Sequence, residues 1–252
     1  MDDHTVLGRA SAILEAVGAT SGPSSLAKLA TETGIPKPTV RRIANQLVAQ
    51  RILCRDPRGY RLGLRLIDLG VAAASQLGTA EFAAPYVHEL HERTGQIAWV
   101  CTFDGDALVV LDKAFAREHS AIIAAHWDPR MPIAAAAGTA AGRLLLSAQP
   151  AYVEQVLRSG GPPKLTPHTV TSPRMLLGRL QRVADTGVAH EWEENRLGWW
   201  CAAVLVPAPA ANYVFGLTAE TRGVPMARGI TQVQRIAEHF GRELTLAADK
   251  AN

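Results

Sequence analysis

Apolar residues recur along this chain at two spacings, and the change from one to the other marks its organisation. Over the first sixty residues the spacing is helical. Leu7, Ala10, Ile13, Leu14 and Val17 share one side of a helix predicted over 6–17. Leu26, Leu29 and Ala30 predict a second, short helix. Ser24 or Ser25 serves as its N-cap, and Gly34 ends it, because glycine tolerates the left-handed conformation of a helix stop. Pro36 and Pro38 bracket a third start, since the N–H that proline lacks would have no partner in a first turn. Val40, Ile43, Ala44 and Leu47 form the apolar stripe of this helix. Lys37, Thr39, Arg41, Arg42 and Asn45 occupy its opposite face. Residues 52–55 and 60–62 read as short strands around Asp56-Pro57-Arg58-Gly59, which is good turn chemistry. A further apolar-rich helix over 64–77 is placed as a connector, with Gly78 at its end.

Beyond residue 79 helical and strand spacings alternate in blocks. A helix over 79–93 carries Phe82, Tyr86 and Leu90 on one face. Two β-branched runs, 96–103 and 107–114, flank Asp104-Gly105-Asp106, a strong hairpin pattern. Residues 121–127 read as a third strand. The alanine-rich stretch 134–147 ends as a helix, and a short helix follows over 152–158. Ser172-Pro173 starts another over 175–186. Strands are predicted at 188–193, 201–206 and 213–218, and an amphipathic helix over 230–246 closes the chain. Hairpin strands with helices in separate blocks predict an α+β fold with an antiparallel sheet.

Charge adds a function to the first region. The net charge of the 252 residues is only +3. From 35 to 65, however, eight Lys or Arg face a single acid, Asp56. Two helices joined through a glycine turn, the second presenting cations and an amide, form a helix-turn-helix. The basic hairpin after it is a wing. Such a patch supplies affinity for the phosphates of double-stranded DNA, while the helix supplies sequence reading. Lys37, Thr39, Arg41, Arg42 and Asn45 are the candidate contacts on the helix, and Arg58 and Arg61 those on the wing. The long stem of Arg42 also suits packing against the domain.

Other features bound the remaining possibilities. Cys54, Cys101 and Cys201 are odd in number and far apart, which fits a reducing cytoplasm and neither a disulfide frame nor a zinc site. The start Met-Asp-Asp-His-Thr has no apolar run, and no stretch approaches the roughly 20 apolar residues that span a membrane. His88 and His91 sit three apart on one predicted helix without a third ligand nearby, so no metal and no cofactor are expected.

Short motifs along nearly the whole chain carry a resemblance. They are Thr33-Gly34-Ile35-Pro36-Lys37, Thr39-Val40, Arg42 and Tyr60-Arg61-Leu62-Gly63, then Gly142-Arg143-Leu144-Leu145 and Leu165-Thr166-Pro167-His168-Thr169, then Gly187-Val188-Ala189, Glu193-Glu194, Gly198 and Cys201. In this order and spacing they resemble the IclR-type bacterial transcription regulators. Two departures are Pro38, where the family usually has serine, and Gly142-Arg143, where it commonly has Gly-Lys. The segment 132–142 also looks longer than usual.

The resemblance implies a winged helix-turn-helix domain (1–63), a linker helix (64–78) and a GAF-like effector-binding and oligomerisation domain (79–252). It implies a homodimer or tetramer on operator DNA, a repressor more often than an activator, answering to a small metabolite. It places the effector against Gly138, Thr139, Ala140, Glu191, Cys201, Ala203, Thr218 and Glu220. Free N–H groups at the helix start after Gly138 would attract a carboxylate. Trp192, Trp199 and Trp200 flank Cys201, and Trp127 ends another strand. Trp199 and Trp200 point to opposite faces of a strand, so at most one faces the ligand. The effector expected is a small aromatic carboxylate such as a hydroxybenzoate; the tryptophans equally suit the core or a subunit interface. Three other readings stay open: a redox-sensing thiol at Cys201, a nucleophilic Cys201 with His190 or Glu191 as base, and an enzyme or sensor module whose winged helix contacts protein. Alternation of His190 and Glu191 on a strand, and the lack of an oxyanion loop, argue against the nucleophile.

Overall fold

Ser25 caps a helix, Gly34 ends it, and the two together set the frame of the first unit. In the computed structural model, which describes residues 5–76, 80–105, 107–126, 128, 130–208 and 212–251, the chain forms two compact units, 1–76 and 77–252. The first begins with α1 (Val6–Gly18), α2 (Leu26–Thr33) and α3 (Lys37–Ala49). The Ser25 hydroxyl accepts the N–H of Lys28, and Gly34 adopts φ +67°. Pro36 precedes α3 and Pro38 sits in its first turn. Ile13, Val17, Leu29, Val40, Ile43, Leu47, Leu53 and Tyr60 form one buried cluster, so the apolar stripes of all three helices meet.

The wing is β1 (Leu53–Asp56) and β2 (Gly59–Leu62), paired antiparallel with Asp56 opposite Gly59. Ser24 adds an isolated bridge to Tyr60, the N–H of each donating to the carbonyl of the other at 2.9 and 3.0 Å. Gly59 is required there. Its φ is +146°, and a Cβ would lie 2.2 Å from the Ser24 carbonyl oxygen. The helix α4 (Arg65–Gln76) follows, and Leu64, Ile67, Leu69 and Val71 are all exposed.

The second unit runs α5 (Ala80–Thr94), β3 (Ile97–Asp104), β4 (Ala107–Ala114), a 3-10 turn (Arg117–His119), α6 (Ser120–His126), β5 (Arg130–Pro132), α7 (Ile133–Ala136), α8 (Ala140–Ala148), α9 (Pro150–Arg158), α10 (Pro173–Thr186), β6 (Val188–Trp192), β7 (Trp199–Val206), β8 (Tyr213–Glu220) and α11 (Met226–Ala251). Six strands form one antiparallel sheet in the order β5-β4-β3-β8-β7-β6. Strand alternation separates two cores. Ala98, Val100, Trp200, Ala202, Phe215 and Leu217 pack against α5 and α11. Ile97, Trp99, Cys101, Cys201, Ala203 and Val214 face the other way, toward α7, α8, α9 and α10. The result is an α+β domain with its antiparallel sheet covered by helices on both faces, consistent with a GAF-like domain.

One predicted element is corrected. Residues 121–127 were expected as a strand, but Ser120–His126 is helical. A short apolar run such as Ile122-Ile123 does not distinguish the two by period, and its small flanking alanines favour the helix. The edge strand β5 was not anticipated. Gly78, Asp106 and Trp127, and the side chain of Phe82, lie outside the described residues. Among the described residues no helix is long and apolar enough to cross a membrane.

Candidate functional site

The recognition face of α3 is open. Lys37, Arg41, Arg42 and Asn45 are exposed and Thr39 is half-buried, while Val40, Ile43, Ala44 and Leu47 are buried beneath them. The Pro36–Pro38 start leaves no side-chain cap at this helix end. Arg41, Asn45, Arg55, Arg58 and Tyr60 line a groove between α3 and the wing. Asn45 Oδ1 accepts from Arg55 Nη2 at 2.7 Å and from the Tyr60 hydroxyl at 3.4 Å, so helix and wing are tied side chain to side chain. Arg55 thus joins the candidate set; the sequence reading counted its charge but assigned it no role. On the wing, Asp56 Oδ1 accepts the N–H of Arg58 at 3.0 Å and lies 3.6 Å from its guanidinium Nε, while Oδ2 lies 3.3 Å from Arg61 Nε. Arg58 and Arg61 therefore share one carboxylate.

In the second unit, a cavity of about 130 Å³ opens on the sheet face that bears Trp99 and Cys201. Its wall is mostly apolar: Ile97, Trp99, Leu108, Val110, Ile123 and Met131 are among the lining residues, and Trp199 closes one side. Trp99 lies flat across the sheet. A Cβ on Gly216 would fall 2.1 Å from its ring, so only glycine on β8 leaves room for the indole. Trp99 Nε1 donates to Thr218 Oγ1 at 3.0 Å, and that hydroxyl donates to Cys201 Sγ at 3.4 Å. Thr139, the N-cap of α8, accepts from Gly142 N and donates to the Ala136 carbonyl. Both threonine hydroxyls on the wall are thus engaged within the protein.

The charged groups are few. Glu191 is buried and lines the cavity. Its Oε2 accepts the N–H of Glu194 at 2.8 Å and of Asn195 at 3.2 Å. Burial pushes its carboxyl up to about 7, against the lowering effect of those two bonds. Arg196 is half-buried and is the one cationic side chain lining the cavity among the described residues. Asp128 and Asn195 are exposed at the cavity's edge.

A buried clasp fixes the loop that carries these groups. The Arg143 guanidinium forms a two-pronged ion pair with Glu194 and donates to the His190 carbonyl at 2.9 Å. Glu194 also accepts the N–H of Val170 at 3.3 Å. Thr166 and Thr169 donate to the carbonyls of Glu193 and Glu194, each at 2.6 Å. The Leu165–Thr169 and Gly142-Arg143 motifs therefore converge on the turn after β6.

Of the effector residues expected from sequence, Thr139, Glu191, Trp199, Cys201 and Thr218 line the cavity. Gly138, Ala140, Trp200, Ala203 and Glu220 do not. Trp200 is on the opposite sheet face, fully buried against α11, where a Cβ on Gly229 would meet its ring at 2.2 Å. Ala140 and Ala203 are buried in the core beneath the cavity. Gly138 packs near Thr169, and Glu220 is exposed at the end of β8. Trp192 is also exposed. Trp99, Arg196 and Met131 line the cavity without having been singled out from the sequence.

The thiol readings lose their basis. Burial raises the thiol of Cys201 far above its ordinary range, and the nearby Glu191 carboxylate raises it further, so a thiolate is disfavoured. His190 alternates away from Cys201 on β6, and its carbonyl is held by Arg143. His88 lies 3.7 Å from Asp112, and His91 Nδ1 contacts the Gln96 carbonyl at 2.6 Å. Among the described residues no three His, Cys, Asp or Glu side chains are grouped to hold a metal.

Comparison with known proteins accounts for both units. Residues 6–57 match the IclR helix-turn-helix domain, and residues 71–224 match the bacterial transcriptional regulator IclR C-terminal domain. The probable transcriptional regulator SauR of Cupriavidus necator is 30% identical over 247 residues, covering 96% of this chain and 93% of that one. The regulator TtgV of Pseudomonas putida is 28% identical, covering 82% and 83%. Among solved structures, an IclR homolog of Microbacterium hydrocarbonoxydans complexed with 4-hydroxybenzoate superposes with a TM-score of 0.82 at 20% identity, covering 96% of this chain and 100% of that one. An IclR regulator of Alicyclobacillus acidocaldarius gives 0.80 at 23%, covering 94% and 97%. Both matching domains are regulator domains and the relatives carry the names of regulators, not enzymes. The chain belongs to the IclR family of bacterial transcription regulators.

Proposed function

We propose that this regulator is a cytoplasmic repressor that releases its operator on binding a small aromatic carboxylate. The observation that carries the effector reading is the cavity: one cation, Arg196, on a mostly apolar and aromatic wall that also bears the carboxyls of Glu191 and Asp128. An aromatic ring fits the walls of Trp99 and Trp199, and a carboxylate fits Arg196. The size agrees: an apolar cavity of about 150 Å³ holds benzene, so about 130 Å³ suits a single ring. The 4-hydroxybenzoate of the Microbacterium homolog is the same class of molecule.

On the DNA side, Arg41 and Arg42 supply the phosphate and base contacts of α3, with Lys37 and Thr39 at its start. Arg58 and Arg61 hold phosphates from the wing. The operator is read by two copies, one recognition helix in each of two successive major grooves. The exposed apolar residues Leu64, Ile67 and Val71 support pairing through α4, since a monomer would leave them in water. We take residues 1–63, 64–78 and 79–252 as the functional divisions, with the connecting helix transmitting the effector's differential binding to the two states.

A thermal-shift screen of small acids, followed by operator binding with each hit, tests this reading. A ligand that binds only the folded protein raises its midpoint by mass action. Aromatic acids that raise the midpoint and weaken operator affinity support it. A response confined to aliphatic acids would remove the aromatic effector, and tighter operator binding with ligand would remove the repressor.

A further inference from the structure

On the sheet face opposite the cavity, α5 and α11 lie side by side, and a groove of about 230 Å³ runs between them. Arg235, His239 and Arg242 of α11 line it, with Glu89 and Arg93 of α5 across from them and the buried Ile236 between. Positions 235, 239 and 242 are four and three apart, so they stand in one row along the helix.

The charges of this groove do not balance. The Glu89 carboxylate is taken by Arg93, whose Nε and Nη2 lie 2.7 and 2.6 Å from its Oε1. Arg235 and Arg242 are exposed and enter no ion pair or hydrogen bond among the described residues. Glu238 and Glu243, the other acids on this stretch of α11, are not part of the wall. Two guanidinium groups are thus left without counter-charges, one on either side of His239. A general excess of cations does not account for them, because residues 79–252 hold 16 Lys or Arg against 17 Asp or Glu.

We propose that this groove is a second small-molecule site and that its ligand carries a phosphate group. A phosphate dianion matches two guanidinium groups, and their planar forks donate in pairs to phosphate oxygens. A single carboxylate would leave one of the two unmatched. Arg235 and Arg242 start about 10 Å apart along the helix axis, and their long side chains converge on one tetrahedral group above His239. The space also holds more than phosphate. A water takes up about 30 Å³ of liquid volume, so about 230 Å³ leaves room for an organic part beside the phosphate. The site stands apart from the aromatic cavity and does not depend on what fills it. The two are nonetheless linked through β7: Gly229 of α11 packs against Trp200, whose chain neighbours Trp199 and Cys201 line the cavity.

Isothermal titration of the intact chain at pH 8 tests the assignment, with inorganic phosphate, pyrophosphate and glycerol 3-phosphate as probes and acetate as the monoanion control. Ionic strength is held constant, because salt screens loose attraction to surface charges. The expected result is saturable binding of at least one phosphate probe at one site per chain, with acetate weaker by about tenfold or more. Arg235→Gln and Arg242→Gln should each weaken that binding by about tenfold or more while melting with the wild type. Arg58→Gln and Arg196→Gln, which alter the DNA-binding groove and the cavity, should leave it unchanged. Failure of all three phosphates to saturate overturns the proposal, as does undiminished binding in both α11 variants. Loss confined to Arg58→Gln or to Arg196→Gln also overturns it, by placing the phosphate in the DNA-binding groove or in the cavity.

Discussion

Asn45 and Arg55 are joined at 2.7 Å across the groove between recognition helix and wing, through the only side-chain oxygen Asn45 has. That oxygen also receives the Tyr60 hydroxyl. Asn45 therefore helps to hold the wing against the helix. The consequence is testable by a double-mutant cycle on operator affinity. Asn45→Ala and Arg55→Ala should each weaken specific binding, by roughly tenfold, and the double variant should lose little more than either single one. Additive losses would mean that the two residues touch DNA independently.

Gly216 and Trp99 form a second dependent pair. Gly216→Ala places a methyl 2.1 Å from the indole, which is buried and tied to Thr218. The indole must tilt into the cavity or the strands must part. Overpacking of this kind costs about 1–3 kcal/mol. The expected outcome is a lower melting temperature together with loss of the ligand-induced thermal shift, while binding to operator without ligand persists. A variant that keeps both midpoint and ligand response would remove Trp99 from the cavity floor.

Trp99 also shows where reading the sequence stops. The DNA-binding unit was legible because its evidence is local: Leu29, Gly34, Pro36 and Val40 each act within a few residues, and all charges but one from 35 to 65 are basic. Trp99 sits in a strand buried on both faces, where neither alternation nor polarity marks the ligand side. Its role depends on Gly216, more than a hundred residues away, and only the β3–β8 register brings them together. The Trp199–Trp200 pair was different. Parity alone required the two to part, and the structure sends Trp199 to the cavity and Trp200 to α11. Residues 121–127 were misread because seven residues are too few for a period to separate helix from strand.

The buried Glu191 carboxyl makes stability depend on pH in a definite direction. Folded, it holds its proton up to about 7; unfolded, it releases it near 4.5, as an ordinary glutamate does. Between these values the folded state binds more protons, so this group's contribution falls as pH rises from 4.5 to 7. The total is on the order of 3 kcal/mol. Glu191→Gln cannot ionise and keeps the acceptor for the Glu194 and Asn195 N–H groups. Its melting temperature should therefore equal or fall below that of the wild type near pH 4.5 and exceed it by several degrees at pH 8. A constant difference across this range would show that Glu191 titrates normally.

The Arg143–Glu194 pair lies 1% and 4% exposed, where either charge alone would be costly. Glu194→Gln keeps the shape but leaves the guanidinium without its counter-charge, a loss of about 3–5 kcal/mol for breaking a buried pair. Arg143→Lys keeps one charge-assisted bond and gives up the two-pronged geometry and the contact with the His190 carbonyl. Its expected cost is smaller, about 1–2 kcal/mol. Because the same pair anchors the turn that carries Glu191 and Arg196, Arg143→Lys should also weaken the ligand-induced thermal shift. Denaturant unfolding gives the first quantity and ligand titration the second. A stable Arg143→Lys protein with an undiminished ligand response would confine the clasp to holding the fold together, with no part in shaping the cavity.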